Sequence, residues 1–381
     1  MRIAYFAHNL DDPAIARRIR MLQLGGAELA VAGFRRGDGD VVPLHGVMPV
    51  NLGRTQDARL VRRMASVVAA RLPDAFLSGA DLILARNLEM LAIAMRHRRR
   101  TGRTIPVVYE CLDIHRLMAG KGLPGRLLRG LEGRLSRGAS LLLTSSPAFV
   151  SEYFASLSNV SLPTLLVENK VLETEDTPPP APAVPARQGP PWRIGWFGAI
   201  RCSRSLAILG SLAKAMNGQV EVVIRGRPAY SEFADFHAQV ARLPHVSFLG
   251  PYDAGDLPAI YGDVHFAWAI DFFEQGLNSA WLRPNRVYES GRYAAVPIAQ
   301  ASVETGRFLS GSGVGILLGH DVEADLRTYF ESLSPGGYEW ERAKVAALPA
   351  RQWSYGPADF GRLVALLEDV ADGKHVESAV L

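Results

Sequence analysis

RIGWFGAIRCSRSLAILGSLAKA, residues 193–215, reads as one complete strand–turn–helix unit. Residues 193–197 form a short apolar run. Gly198 allows a tight turn. From Ser205 onward, apolar residues recur at helical spacing to Ala215. Other segments follow the same grammar. Strand candidates at Val220–Ile224, Ser247–Leu249, Val264–Ala267, Val296–Ala299 and Gly315–Leu318 alternate with helical patterns such as Phe233–Ala241 and end in a helix at Ala358–Ala371. The first half repeats it, with strand candidates Arg2–Ala7, Glu28–Phe34, Asp81–Ala85, Val107–Cys111, Ser140–Thr144 and Thr164–Val167. Short apolar runs alternating with amphipathic helices predict βαβ units and parallel sheets covered by helices on both faces.

The run TPPPAPAVPARQGPP, residues 177–191, is nearly half proline and cannot build a packed element, so it reads as a semi-rigid linker. The expected organisation is an α/β protein with two Rossmann-like domains facing across a cleft. They are 1–176 and 192–355, joined by 177–191, with 356–381 a C-terminal helix returning toward the first domain.

The 381 residues are 48% apolar and 21% charged, which excludes a largely disordered or collagen-like chain. No run approaches the roughly 18 uncharged apolar residues of a membrane span, and Asp11 and Asp12 interrupt the start before a signal-peptide core could form. Cys111 and Cys202 stand far apart, so neither a disulfide framework nor a zinc site is expected, and a reducing cytoplasm is the expected compartment.

Charge is unevenly spread. Residues 1–170 carry 24 Lys and Arg against 14 Asp and Glu, whereas the remainder carries 18 against 24. Three helical patterns in the basic half pair an apolar stripe with arginines. Ile15, Ile19 and Leu22 stand against Arg17, Arg18 and Arg20. In 57–72, Leu60, Met64, Val67 and Val68 stand against Arg59, Arg62 and Arg63. In 123–137, Leu127, Leu128, Leu131 and Leu135 stand against Arg126, Arg129, Arg134 and Arg137. Each stripe either packs on a sheet with its arginines solvated, or lies on an anionic membrane. With no aromatic stacking motif among the arginines, a nucleic-acid partner is not expected.

The chain has no G-x-x-x-x-G-K-[ST], no G-x-G-x-x-G opening a helix, no G-x-S-x-G and no H-E-x-x-H. Gly311–Gly315 runs into a strand and reads as a turn. The positive signals lie at strand C-termini, where doubly wound sheets bind ligands. Gly198, Arg201 and Arg204 surround a helix start, the pattern of a diphosphate site. Arg225 and Gly226 end the next strand. Gly250 and Tyr252 follow the third and are placed to border a planar base. In DFFEQGLNSAWLRPNRVYESGRYAAVPIA, residues 271–299, Asn285, Arg286 and Glu289 cluster near a helix start. Glu289 there either accepts both hydroxyls of a ribose, or caps the helix and pairs with Arg286 or Arg292.

The paired βαβ halves, FLGPY, and the loop–Glu289–helix–VPIA segment resemble the GT-B glycosyltransferases. The stretches HNLDDPAIARRIRMLQLGGAE, ILARNLEMLAIA, YECLDIHRLM, LLTSSPAFVSEYF, VENKVL, VEVVIRGRPAYSEF and YGDVHFAWAIDFFEQGLNSAWLRPNRVYESG are similar to bacterial exopolysaccharide glycosyltransferases of the succinoglycan-biosynthesis type. The resemblance spans the chain. It implies that the second domain binds a nucleotide sugar and that Glu289 holds its ribose. It also implies transfer of a sugar, with UDP-glucose the expected co-substrate, to a polyprenyl-diphosphate-linked oligosaccharide.

The commoner retaining members carry two glutamates eight positions apart. Here Glu274 lies fifteen before Glu289, so inversion is expected instead, and Glu274 with Asn278 is expected to contact the donor sugar.

Inversion needs a base for the acceptor hydroxyl. VVYECLDIHR, residues 107–116, supplies Asp113 as first choice and Glu110 as second, with His115 orienting either; Asp113 could instead cap the following helix. His8, Asn9 and Asp12, with Arg86 and Asn87, are expected acceptor contacts, Asp11 and Asp12 alternatively being N-cap residues. Asp271 belongs to no Asp-x-Asp pair and no metal is expected. The enzyme is expected to be cytoplasmic and held peripherally at the inner membrane by anionic inner-leaflet lipids. An epimerase of the same layout, or a scaffold of an export complex that has lost catalysis, remain alternatives.

Overall fold

The structure, a computed structural model, describes residues 1–37, 39–55, 60–174 and 189–381, with the side chains of 60–63 outside the description. Most of the expected linker, 177–188, lies outside the described residues, as does residue 59 of the second basic helix.

The chain forms two compact units, Met1–Glu168 with Gly356–Leu381, and Asn169–Tyr355. In unit 1 the strands are β1 (Arg2–Ala7), β2 (Glu28–Arg35), β3 (Val50–Arg54), β4 (Leu82–Arg86), β5 (Val107–Cys111), β6 (Leu141–Thr144) and β7 (Thr164–Leu166). The helices are α1 (Pro13–Leu24), α2 (Leu60–Ala69), α3 (Leu88–Arg100), α4 (Arg116–Ala119) and α5 (Leu123–Ser136). All strand pairs are parallel, in the order β7-β6-β5-β4-β1-β2-β3. Strands buried on both faces need continuous apolar runs. β1, β4, β5 and β6 are such runs, which is why they were visible in the sequence. Edge strand β3, VNLGR, is half exposed and polar, and periodicity did not reveal it.

Unit 2 begins with β8 (Val171–Leu172) and holds β9 (Trp192–Ile200), β10 (Val220–Pro228), β11 (Val246–Phe248), β12 (Phe266–Trp268), β13 (Val296–Gln300), β14 (Ile316–Leu318) and β15 (Ser354–Tyr355). Its helices are α6 (Ser203–Ala215), α7 (Phe236–Ala241), α8 (Leu257–Gly262), α9 (Asn278–Trp281), α10 (Asn285–Arg292), α11 (Glu304–Gly311), α12 (Val322–Ser332) and α13 (Pro335–Ala347). The parallel sheet runs β11-β10-β9-β12-β13-β14, and β8 pairs in parallel with β15. That pair draws 169–174 into unit 2. The boundary therefore falls at Glu168/Asn169 rather than at 176/177 as expected. Two apolar clusters pack the unit; in the larger, Trp192 packs edge-on against Phe266 and at a tilt against Tyr338, and the smaller gathers Phe197, Leu257, Tyr261 and Tyr293.

From Gly356 the chain belongs to unit 1 again, through α14 (Pro357–Ala371) and β16 (Ala379–Val380), which extends the first sheet beside β7. α14 packs on α1. The crossing is close: a Cβ on Gly25 would lie 2.3 Å from the Phe360 carbonyl oxygen.

One expected helix face is corrected, and one left open is decided. Arg18, expected to lie largely off the buried face of α1, is buried there. In α5 the inward residues are Gly125, Arg129, Glu132, Gly133 and Ser136, whereas Leu127 and Leu131 face out. The reason is steric and polar. Gly125 and Gly133 let α5 approach the chain at Gly120 and Asn159, where a Cβ would come within 2.4 and 2.6 Å. Arg129 donates to the carbonyls of Met118 and Gly120. Glu132 accepts from the hydroxyls of Tyr109, Tyr153 and Ser158 at 2.7–2.8 Å.

Candidate functional site

Each sheet has one point where its strand order reverses, and there the loops leaving neighbouring strands part in opposite directions to leave a crevice. In unit 1 this point lies between β1 and β4; in unit 2 it lies between β9 and β12.

At the unit 2 point, register pairs Gly198 with Gly226 at the ends of β9 and β10. Both have positive φ, +102° and +137°. A Cβ on Gly226 would stand 1.9 Å from the Gly198 carbonyl oxygen, so only glycine fits there. The loops flanking the switch point are laced together. Arg201, after β9, donates to Asp271, after β12, at 2.9 and 3.0 Å and covers the Phe273 ring. Arg204 donates to Gln275 at 2.9 Å and lies over Phe272. Arg201 is thus tied to a carboxylate that spacing alone did not reveal. α6 starts at Ser203, and the Ser205 hydroxyl is buried without a hydrogen-bond partner. So is Nε of Arg225, which pairs in register with Phe197.

On the other side of the switch point, α10 begins at Asn285 after Pro284, a residue suited to a helix start. Arg286 is buried and donates to the Trp268 carbonyl, which ends β12, at 3.4 Å. That contact fixes the first turn of α10 at the strand-end rim. One turn on, Glu289 is half-buried and accepts from the Tyr261 hydroxyl at 3.0 Å. Burial, and then the Glu289 charge, push the Tyr261 phenol up, so it remains a donor that orients the carboxylate. Arg292 is engaged by Glu173. Tyr252 meets Phe197 edge to face beside Gly198. The Glu274 backbone N–H donates to the Ser279 hydroxyl oxygen at 3.1 Å, and Asn278 is buried at the first position of α9.

At the unit 1 point, His8, Asn9 and Asp12 follow β1, while Arg86 and Asn87 end β4, and β1 pairs with β4 through Phe6 and Ala85. Five residues expected as acceptor contacts thus converge on one rim. Asp12 caps α1 by accepting from the Ala14 amide at 2.9 Å; Asp11 instead binds Arg35 and the amides of Arg36 and Gly37. Three buried polar atoms on the rim have no hydrogen-bond partner among the described residues: His8 Nδ1, Arg86 Nη1 and Asn87 Oδ1. Asn87 also holds φ +72°, a strained value for a residue with a side chain. Burial, then the charge of Arg86, push the His8 imidazole down to about 4. It is neutral at neutral pH.

Glu110, expected as an alternative base, is corrected. It lies wholly buried in β5, accepting from Tyr5 at 2.8 Å and Arg18 at 2.7 Å, with Arg86 at 3.4 Å. Burial alone would raise its pKa, but Arg86, Arg18 and the Tyr5 hydroxyl outweigh it and hold the carboxyl below its usual range. It cannot reach a substrate; it is the fixed anion that positions Arg86. His115 does not orient Glu110 either. Its Nδ1 accepts from the Leu117 amide at 3.3 Å and caps α4. The cap that Asp113 was weighed for is therefore filled by His115, and Asp113 is exposed just beyond β5. Sequence reasoning missed the roles of Arg18, Asp271 and Tyr261, which act through contacts between elements distant in sequence, and the buried hydroxyl of Ser205.

Two parallel α/β sheets with rims of this kind put the chain in the GT-B class of glycosyltransferase folds. No family model matches the sequence. Solved structures with the same fold include Anabaena Alr3699/HepE in complex with UDP and glucose (TM-score 0.70, 14% identity, covering 97% of this chain and 99% of that one). Another is the sucrose-phosphate synthase of Thermosynechococcus elongatus (TM-score 0.69, 13% identity, 98% and 99%).

At the sequence level the chain is 48% identical, over 96% of its length and 93% of the relative's, to the succinoglycan biosynthesis protein ExoL of Rhizobium meliloti strain 1021. It belongs to the ExoL family of succinoglycan-biosynthesis proteins.

Proposed function

We propose that this protein transfers a sugar from a nucleotide-sugar donor, UDP-glucose, to a lipid-diphosphate-linked oligosaccharide during succinoglycan-type exopolysaccharide assembly. It would do so at the cytoplasmic face of the inner membrane. The observation that carries the reading is the unit 2 rim. There the paired glycines, Gly198 and Gly226, leave backbone open beside Arg201, Arg225 and the start of α6, while Glu289 is held ready by Tyr261. The HepE relative in fold binds UDP-glucose, which supports the same donor here.

In this reading Glu289 accepts the ribose hydroxyls and Tyr252 borders the base. Arg201, Arg225, Arg286 with Asn285, and the α6 amides hold the diphosphate, so no metal is called for. Glu274 and Asn278 face the sugar. Unit 1 receives the acceptor along His8, Asn9, Asp12, Arg86 and Asn87; the unpartnered atoms of His8, Arg86 and Asn87 suit a hydroxyl-rich ligand. Asp113 takes the proton of the attacking hydroxyl as the oxygen–carbon bond forms at the anomeric carbon, and the bond to UDP breaks with its electrons leaving on the diphosphate. Attack opposite the leaving group inverts the configuration.

Calorimetric titration with UDP, GDP, dTDP and UDP-glucose tests the donor site. UDP should bind the wild type. Glu289→Ala should weaken it by about 1–3 kcal/mol, the expected effect of losing a charged hydrogen bond. Asp113→Asn should bind UDP normally and abolish transfer. A wild type that binds no nucleotide would sink the reading.

A further inference from the structure

The face of unit 1 built from α2, α3 and α5 carries apolar ridges that none of the described residues covers. In α5, Leu123, Leu127 and Leu131 lie four residues apart and stack into one line. They are 66%, 74% and 41% exposed. An amphipathic helix on a sheet ordinarily turns such a line inward. α5 does not, because its inward face is complete without it. Gly125 and Gly133 give close approach, and Arg129 and Glu132 are satisfied by hydrogen bonds beneath.

The ridge is therefore not a helix left half-docked. α2, which packs on α3 as α3 packs on α5, repeats the feature with Met64 and Val68, 51% and 67% exposed at the same four-residue spacing. Lys121, Arg126, Arg134 and Arg137 are exposed around the α5 line. The one carboxylate on that helix, Glu132, is buried and turned away. The face is thus apolar along its crest and positively charged along its flank.

We infer that this face docks the protein on an anionic lipid bilayer. The leucines enter the boundary between headgroups and acyl chains, and the guanidinium groups meet lipid phosphates. Charge selects this occupant. A second copy would bring the same arginines against these, and like charges repel. Among the described residues no helix is long and apolar enough to cross a membrane, so the contact is interfacial. The inference deepens the proposed function by naming the surface that brings the chain to a lipid-linked acceptor.

Co-sedimentation of the full chain with vesicles tests it, using phosphatidylcholine alone and phosphatidylcholine with phosphatidylglycerol. Wild type should bind the anionic vesicles, more weakly as salt rises. Leu123→Ser with Leu127→Ser should lower the partition coefficient by about tenfold or more at every salt concentration. Arg126→Gln with Arg134→Gln and Arg137→Gln should remove the preference for phosphatidylglycerol and most of the salt dependence. All five positions are exposed, so melting temperature and UDP affinity should not change.

Wild type that ignores both vesicles, or a leucine variant that binds like wild type, overturns the inference. So does a leucine variant whose only effect is to split a dimer in sedimentation velocity. UDP titration is read on the same samples. Failed vesicle binding with intact nucleotide binding removes the docking surface alone, and the converse removes the donor reading alone.

Discussion

Gly198 and Gly226 are neighbours in register with the same sign of φ, yet their tolerance to a methyl group should differ. A Cβ on Gly198 would meet nothing nearer than the Tyr252 hydroxyl at 3.8 Å. Gly198→Ala therefore carries only the backbone term, about 1–3 kcal/mol for a non-glycine residue at positive φ. Gly226→Ala carries that term and also drives its Cβ into the Gly198 carbonyl, a clash relieved only by moving backbone, which adds about 1–3 kcal/mol. Urea denaturation of both variants checks the order, and equal losses would show that the two strand ends are not held as closely as described. At this scale the sequence was informative. Both glycines were expected on the rim, but as turn residues beyond the strands, whereas each lies two residues inside the end of its strand. What could not be read was which carboxylate is exposed. Glu110 and Asp113 are three residues apart in one motif. Only the fold shows that Arg18, Arg86 and Tyr5 enclose the first while the second emerges beyond the strand end.

The helix scale is where hydropathy left two readings open. Counting apolar positions at 3.6 spacing finds the leucine stripe of α5 but not whether it faces the sheet, because the count gives glycine no weight. In α5 glycine marks the packed face, since the absence of a side chain brings two backbones together. The distinction predicts opposite signs for two substitutions three residues apart. A Cβ on Gly133 would lie 2.6 Å from Asn159 Cβ, so Gly133→Ala should destabilise by about 1–3 kcal/mol. A Cβ on Gly130 would meet nothing within 4 Å, so Gly130→Ala should stabilise by about 0.5–1 kcal/mol through the lower entropy of the unfolded chain and better helix propensity. Thermal melts of the two proteins decide it. If Gly133→Ala were the stabilised one, the inward and outward faces of α5 would be exchanged, and the exposed leucine line with them. Elements whose residues are buried on both faces, such as β1 and β5, left no such ambiguity. The edge strand β3 and the short pair β8–β15 escaped notice because neither is apolar enough or long enough to show a period.

Across the whole molecule, alternation of apolar runs and helices was enough for a two-sheet α/β architecture, but the edge of unit 2 was not legible. β8 is two residues long, and its pairing with β15 joins segments some 180 positions apart in the chain. Titration behaviour is likewise a property of the assembled unit. His8 follows β1, Glu110 lies in β5, and they become one electrostatic group only through Arg86 of β4, the strand between β1 and β5 in the sheet. Both have folded-state pKa values below their ordinary ones, His8 at about 4. A group depressed on folding binds fewer protons folded than unfolded, so its contribution is complete above the unfolded pKa and is lost as pH falls. Stability should therefore decline on acidification from about pH 6.5, where an unfolded histidine begins to protonate, and continue to decline toward pH 4 as unfolded carboxylates titrate. His8→Gln keeps a neutral polar side chain and removes the first component only. Urea midpoints measured from pH 7 to 4 should fall less steeply for the variant throughout the window from pH 6.5 down to about pH 4, which separates the unfolded and folded His8 values. Parallel curves throughout would mean that His8 is solvated and titrates normally, and the unpartnered Nδ1 at the unit 1 rim would then be an atom already in contact with water rather than one awaiting a ligand.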